Sequence, residues 1–406
     1  MDSLINAAGR ALALGDALGA LNYIAWRNDP PAMALRGIAM AQLGDLGRAK
    51  ALLRCALRAF GPLETVARAR CAVAEAEIAL VSRDLNWPMT ALDSAHDALA
   101  EHGDYANAAQ ARYLKARCLL LIGRVDQAER LLVGFDPALL WPASQAGHEL
   151  VVAGIAMRRL QVELARAALA RAEAAARRAR ISSVLAEVRA AAVALEMPAA
   201  RLIVRGTERL VRLADIETLL ASKVLVVDAC RRAVRYCGRV VSLQTRPVLF
   251  ALARALAEAW PEDVPRDALL ARVFRAKDTN ESHRARLRVE MGRLRGALRA
   301  VAGIAATKSG FALVPRCARE VAVLAPPTDE AHAVVLALLA DGEAWSSSAL
   351  AVALGASQRT VQRALDSLTK EGKVQAVGHG RTRRWMTQPV PGFPTALLLP
   401  GALPSR

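Results

Sequence analysis

Two stretches of this chain concentrate side chains able to grip anions. Between residues 283 and 299, Leu287, Met291, Leu294 and Leu298 step by four, three and four, which lays one apolar stripe along a helix. His283, Arg284, Arg288, Arg295 and Arg299 lie off that stripe. An arginine fork can take O6 and N7 of guanine together, or grip a phosphate. The chemistry on offer is charge-assisted hydrogen bonding to a polyanion. The second stretch starts at Ser357, a good N-cap, and is predicted helical to about Glu371. Val361, Leu365 and Leu368 form its inward face, and its first turns expose Gln358, Arg359, Thr360, Gln362 and Arg363, which can reach base edges. A hairpin follows, from Lys373 to Val377 and from Arg381 to Met386 around Gly378-His379-Gly380, and it carries Arg381, Arg383 and Arg384.

Other chemistry lacks this support. No GxxxxGKS/T loop, GxGxxG turn, HExxH helix or GxSxG elbow occurs. The histidines His96, His102, His148, His283, His332 and His379 are isolated and give no metal spacing. His96 and His102 could share a helix neighbourhood, but two such residues are more often surface groups than ligands. The cysteines Cys55, Cys71, Cys118, Cys230, Cys237 and Cys317 form no CxxC pair, which speaks against a zinc site or a disulfide framework and for free thiols in a reducing cytosol. The expectation is a protein that is not an enzyme, with no cofactor and no metal.

Charge points the same way as the arginines. The chain of 406 residues holds 55 Lys+Arg against 38 Asp+Glu, a formal charge of +17. Residues 1–200 carry 23 basic and 20 acidic side chains, and residues 201–406 carry 32 and 18, so +14 of the excess lies in the C-terminal half. A polyanionic partner is implied, double-stranded DNA first. The longest clean apolar run, Ala333 to Ala340, is too short for a membrane helix, and Met1-Asp2-Ser3 does not open a secretory signal. The expected location is cytoplasmic and nucleoid-associated, with no membrane partner.

The elements that must hold these side chains divide the sequence. At 54% apolar and 4% aromatic, rich in Ala and Leu, the chain favours helices. Residues 1–197 read as helix after helix, with a recurring break: Gly15-Asp16 then Ala20, Gly44-Asp45 then Ala49, Gly123-Arg124 then Ala128, and weakly near Arg83 and Gln161. Gly37-Ile38-Ala39-Met40 returns as Gly154-Ile155-Ala156-Met157. Small residues let helices approach, and a recurring period marks an α-solenoid. The segments "AMAQLGDLGRAKALLRCAL" and "CLLLIGRVDQAERLL" resemble tetratricopeptide repeats. About five imperfect repeats are covered: the Gly and Ala positions fit, while the aromatic and Pro positions mostly do not. The resemblance implies a peptide, a protein partner or a second copy (a homodimer) on the concave face. A ligand-free helical bundle is the plainer reading.

Residues 198–222 read as a linker or an unassigned stretch, with a linker helix expected within 201–222. In 223–317 the period changes to strands at Val224–Asp228, Ala233–Tyr236 and Val240–Leu243. Helices follow from about Arg246, from Pro265 to Phe274 and from about Ser282 to Val301, and then a hairpin from Ile304 to Val314 with Lys308-Ser309-Gly310 at its tip. This order, carried by "LVVDACRRAVRYCGRVVSL", "PRDALLARVF", "LRVEMGRLRGAL" and "IAATKSGFALV", resembles the OmpR/PhoB-type winged-helix family. The resemblance implies a third helix in the major groove and a hairpin wing on phosphates. It puts His283, Arg284 and Arg288 at bases and Arg293, Arg295 and Lys308 at phosphates. No receiver domain resembles the family's usual partner. One regulator subfamily joins this winged helix to tetratricopeptide repeats, but in the opposite order.

Residues 318–328 form a second expected linker. Residues 329–387, through "LAVALGASQRTVQRALDSLTKEGKV", resemble the broad MarR-, GntR- or DeoR-like winged helix-turn-helix of bacterial repressors. Some members of that class bind protein instead. The tail, 388–406, is expected to be disordered. The reading is a mainly α chain, an N-terminal tetratricopeptide-like α-solenoid followed by two winged-helix (α+β) domains. Its expected function is that of a bacterial, sequence-specific DNA-binding transcription regulator. The alternatives are a protein-interaction adaptor and a nonspecific architectural DNA-binding protein.

Overall fold

The structure, a computed structural model, describes residues 2–84, 87–229, 231–243, 245–274, 281–326, 332–339, 344–354, 356–377, 380 and 383–387. The chain is mainly helical, as its composition predicts. It divides into two compact units, Met1–Ala194 with Ala331–Arg406, and Leu195–Glu330.

The first unit opens with antiparallel helix pairs: α1 (Ser3–Ala13) with α2 (Ala17–Ile24), α3 (Pro30–Gln42) with α4 (Leu46–Ala59), α5 (Thr65–Val81) with α6 (Thr90–Glu101), α7 (Tyr105–Leu121) with α8 (Val125–Leu132), and α9 (Pro142–Arg159) with α10 (Val162–Ala179). The odd-numbered helices pack side by side in one row, and the even-numbered ones back them. The recurring Gly-Asp breaks are the turns inside the pairs. Gly15 and Gly44 take positive φ, which a side chain would resist, and Asp16 and Asp45 then cap α2 and α4 by accepting from the backbone N–H of Gly19 (2.8 Å) and Arg48 (3.0 Å). Asp104 plays the same part before α7 and also binds Arg70 of α5 at 2.6 Å. Ala20, Ala49 and Ala128, the small residues of the pattern, are wholly buried.

The two similar Gly-Ile-Ala-Met segments face different neighbours. A Cβ on Gly37 would meet Leu53 of its own partner α4 at 2.9 Å, whereas one on Gly154 would meet Leu120 of α7, a neighbour in the row, at 2.8 Å. Arg180 ends α10 exposed and in the left-handed region (φ 57°, ψ 25°), where a Cβ costs energy. Arg180→Gly is therefore expected to stabilise this unit by about 0.5–1 kcal/mol, after allowing for the looser unfolded chain. A midpoint that falls in denaturant melts would contradict this. A further helix, α11 (Ser182–Glu196), follows and joins neither row as a paired member.

The second unit begins where a linker is expected. Residues 198–222 form a hairpin that the sequence does not predict, β1 (Ala200–Val204) with β2 (Thr207–Val211), and then a helix, α12 (Leu213–Ala221), where a linker helix is expected. Strands β3 (Leu225–Asp228), β4 (Ala233–Tyr236) and β5 (Arg239–Ser242) follow. The stretch 318–328, also expected as a linker, contributes β9 (Val321–Ala325), buried at every position. It pairs antiparallel to β1 and parallel to β3, giving the sheet order β2-β1-β9-β3-β4-β5. Both errors have one cause. β1 and β2 are five residues each with no clean alternation, β1 mostly buried and β2 exposed at all but its last position, and β9 is a short apolar run whose partners lie far away in sequence.

Helices α13 (Pro247–Ala259), α14 (Arg266–Phe274) and α15 (Glu281–Leu298) pack on this sheet around one core, to which α15 gives Leu287, Met291, Leu294 and Leu298. A smaller sheet, β6 (Val264–Pro265), β8 (Gly310–Pro315) and β7 (Ala302–Ala306) in that spatial order, closes the unit.

The C-terminal part of the first unit has α16 (Ala333–Leu339), α17 (Ser347–Leu354), α18 (Gln358–Lys370) and a hairpin, β10 (Val374–Val377) with β11 (Arg384–Thr387). Trp345 adds a single antiparallel bridge to β11 by exchanging both backbone hydrogen bonds with Trp385 (2.8 and 2.7 Å), and both indoles are buried. The guanidinium of Arg83, from the turn after α5, sits 5.4 Å from the Trp345 ring centroid, and Leu121 of α7 also packs on this core. The tail 388–406, Arg381 and the turn residues Gly378 and His379 lie outside the described residues.

Candidate nucleic-acid interface

The apolar stripe of α15 is fully buried, so the flanks of the helix present what remains. At 3.6 residues per turn, positions 284, 288 and 295 fall within about 40° of arc, and Arg299 follows in the turn just past the helix end. All four are exposed arginines. Arg284 lies 4.0 Å from Asp267 at the start of α14, and Arg288 pairs with Glu281 at 2.7 Å. Both pairs are exposed, so each holds its arginine only weakly. A phosphate or base edge competes with them at small cost.

Arg295 is held more firmly. Its Nε donates to the carbonyl of Ile304 in β7 at 2.9 Å, and its guanidinium lies 5.8 Å from the Phe311 ring centroid. Arg266 approaches the same ring at 5.4 Å and donates to the carbonyls of Lys308 (2.9 Å) and Thr307 (3.0 Å). The hydroxyls of Ser309 and Thr307 donate to Asp263, which holds that carboxyl below the usual carboxylate range. Asp263 and Arg266 thus brace the β7–β8 turn from both sides and leave Lys308 exposed at its tip. Sequence reasoning treated Arg266 only as part of a helix start. Its pairing was invisible because β6 is two residues long and its partner β8 lies some 45 positions on.

Gly310 permits this junction. A Cβ there would lie 1.8 Å from the carbonyl oxygen of Val264, which is backbone and cannot swing away. Gly310→Ala is expected to cost about 1–3 kcal/mol by overpacking and to loosen the hairpin. Hydrogen exchange at 302–315 no faster than in the parent chain would show that β6 can yield.

Two expected contact residues stand apart from this flank. His283 is half-buried. Arg293 lies roughly 150° round the helix from the other arginines. It pairs with Glu290 at 2.8 Å and, with Arg246, Pro247, Val248, Leu249 and Glu290, lines an open cleft of 470 Å³ at the start of α13. The structure therefore does not bring Arg293 together with Arg295 and Lys308.

In the C-terminal part, Ser357 caps α18 by accepting from the N–H of Thr360 at 3.1 Å. Three of the five predicted contact side chains have internal partners. Gln358 donates to Ser347 Oγ (3.1 Å), the Thr360 hydroxyl meets Ser357 Oγ (2.8 Å), and Gln362 donates to Asp366 (3.0 Å). Arg359 and Arg363 are exposed, one turn apart on one face, with no ion pair to any described residue. In the hairpin, Arg383 is exposed with its guanidinium 4.2 Å from the Trp385 ring centroid, and Arg384 is half-buried.

Elsewhere, His96 and His102 each place Nδ1 against a backbone carbonyl, Ala108 at 3.0 Å and Ala98 at 2.8 Å. Among the described residues no cluster of three or more His, Cys, Asp or Glu could hold a metal, and no helix is long and apolar enough to cross a membrane. Comparison with family models, with curated proteins and with solved structures returned no match.

Proposed function

We propose that this protein is a sequence-specific DNA-binding transcription regulator. The observation that carries the reading is the flank of α15: Arg284, Arg288 and Arg295 along one line, with Arg299 in the turn just past the helix end, continued by a braced hairpin with Lys308 at its tip. An exposed row of arginines beside a hairpin suits a helix in the major groove and a wing on the neighbouring phosphates. In this reading the second unit is an OmpR/PhoB-type winged helix enlarged by the β1–β2 hairpin and β9. Residues 329–387 are a second winged helix, reading through Arg359 and Arg363, with Gln358, Thr360 and Gln362 reaching bases only if they give up their internal bonds. The helix pairs α1–α10 are a tetratricopeptide-like solenoid that serves partner binding or dimerisation. Its first pair exposes Leu14, Leu18 and Trp26.

Selection of binding sites from random duplex DNA at near-physiological salt tests this. A sharp consensus supports a regulator, and its symmetry and spacing tell whether one chain or two occupy a site. Binding without consensus favours the architectural alternative. Retention of no DNA favours the adaptor, in which all parts bind protein. Within the DNA reading, replacing Arg381, Arg383 and Arg384 with Ala should weaken binding on every sequence and flatten its salt dependence. Each lost phosphate contact removes about 0.9 from the slope of log K against log salt. A slope as steep as that of the parent chain would remove this hairpin from the interface.

A further inference from the structure

Cys237 and Cys317 are both exposed, and both belong to the second unit. Cys237 and Gly238 form the two-residue turn between β4 and β5, with φ 44° and 77°. Asn, Asp or Gly suits such a turn, so the backbone does not call for a cysteine there. Cys317 stands in the stretch between β8 and β9. β7 pairs with β8 as far as Ala302 and Pro315, and the Arg316 N–H goes on to donate to the carbonyl of Val301 at 3.4 Å. One step further, that register sets Cys317 against Ala300. The carbonyl of Ala300 in turn accepts from Nη1 of Arg239, the residue just after the β4–β5 turn, at 3.3 Å. One short stretch of backbone thus adjoins both cysteine-bearing segments.

Tyr236 and Ala318, each next to one of these cysteines in sequence, pack on the same core. The Tyr236 hydroxyl senses both thiols. Desolvation, a hydrogen bond with the Cys237 thiol and the charges of Cys237 and Cys317 hold it above its ordinary value. The other described cysteines are placed differently. Burial pushes Cys71 up to about 12 and Cys118 up to about 11, which keeps both as unreactive thiols. Cys55 is exposed on α4 of the other unit.

We propose that Cys237 and Cys317 form a redox-sensitive pair, which hydrogen peroxide converts to a disulfide and a thiol reductant restores. The sulfur of one thiolate attacks an oxygen of peroxide, the O–O bond breaks, and the departing hydroxide takes up a proton to become water. The second sulfur then attacks the resulting sulfenic acid. The S–S bond forms, the S–O bond breaks, and a second water leaves. Two thiols and one peroxide give one disulfide and two waters. Both cysteines lie in irregular chain, which can adjust to the Cα separation of about 5.5–6 Å that a disulfide takes. The bond closes a loop that holds α13, α14, α15 and the β7–β8 hairpin, and constraining that loop in the unfolded chain stabilises the unit. In reducing surroundings a bond of this kind is transient and redox-sensing rather than structural. The inference concerns the second unit and stands whether or not that unit binds DNA.

The test uses the full chain, first reduced and then freed of reductant, with hydrogen peroxide as the probe. Peptide mapping without reduction should recover the peptides of Cys237 and Cys317 joined, two hydrogens lighter than their sum, and dithiothreitol should separate them. Cys55 gauges the dose as an exposed thiol in the other unit. In Cys317→Ser the sulfenic acid at Cys237 is no longer consumed, so dimedone should trap it at least fivefold more than in the parent chain. Cys237→Ser should give the mirror result at Cys317. Both positions are exposed, so neither serine should disturb the fold. The denaturant midpoint of the second unit should rise on oxidation in the parent chain and in neither variant. Both thiols still free once Cys55 is oxidised, either one joined to a different cysteine or to a second chain, or dimedone trapping no higher in the variants would each overturn the proposal. So would a midpoint that oxidation leaves unchanged.

Discussion

Reversing Arg284 and Arg288 together, each to Glu, is expected to abolish specific duplex binding through α15. A good bidentate contact to a base contributes about 1–3 kcal/mol of discrimination, and the reversal adds repulsion from the phosphates. The expected loss in specific affinity is about a hundredfold or more. Folding should not be the cause. Both side chains are exposed, and their partners Asp267 and Glu281 form surface pairs that contribute about 1 kcal/mol at most. Arg293→Glu is the matched control. It reverses one charge on the same helix, where the double variant reverses two, and lies on the flank that faces the cleft beside α13. A titration with a selected duplex and with a scrambled one separates the cases. If the double variant kept its preference for the selected duplex, α15 would not be the reading helix, and Arg359 and Arg363 of α18 would be the next residues to reverse.

The second large effect falls on the C-terminal part. Trp385→Ala is expected to unfold it. The indole is 1% exposed, and truncating a buried Trp costs about 3–5 kcal/mol. This core has few other large side chains, and small domains have little stability in reserve. The backbone of Trp385 also carries the rung to Trp345, and its ring supports Arg383. The variant should lose ordered exchange protection in α18 and the hairpin, while α13 and α15 of the other unit stay protected. Trp385→Phe should keep the fold with a smaller loss. Protection of α18 unchanged in the Ala variant would mean that Trp345 and the aliphatic side chains suffice.

Much of this arrangement was legible in the order of residues. The stripe Leu287, Met291, Leu294 and Leu298 is buried as its spacing predicts, and Ser357 caps α18. The Gly-Asp breaks are the turns within helix pairs. These features are local, since periodicity, capping and turn chemistry act over a few residues and can be read in a row. Arg284, Arg288 and Arg295 share a flank for the same reason, because one helix fixes them all.

What the sequence by itself determined is therefore helix type, helix phase and the basic character of the C-terminal half. Only the tertiary structure decided the rest. The two stretches read as linkers became β1, β2 and β9, because a strand's stability lies in partners that β9 finds more than a hundred residues away at β1. That Arg293 lines the cleft at the start of α13 depended on which flank of α15 meets that helix. Arg266 became a brace for the hairpin through Phe311 and two carbonyls that no spacing rule connects to it. Glu187 met Arg117 across 70 residues. Each of these depends on how elements pack, which is set by long-range burial and pairing rather than by any local run of side chains.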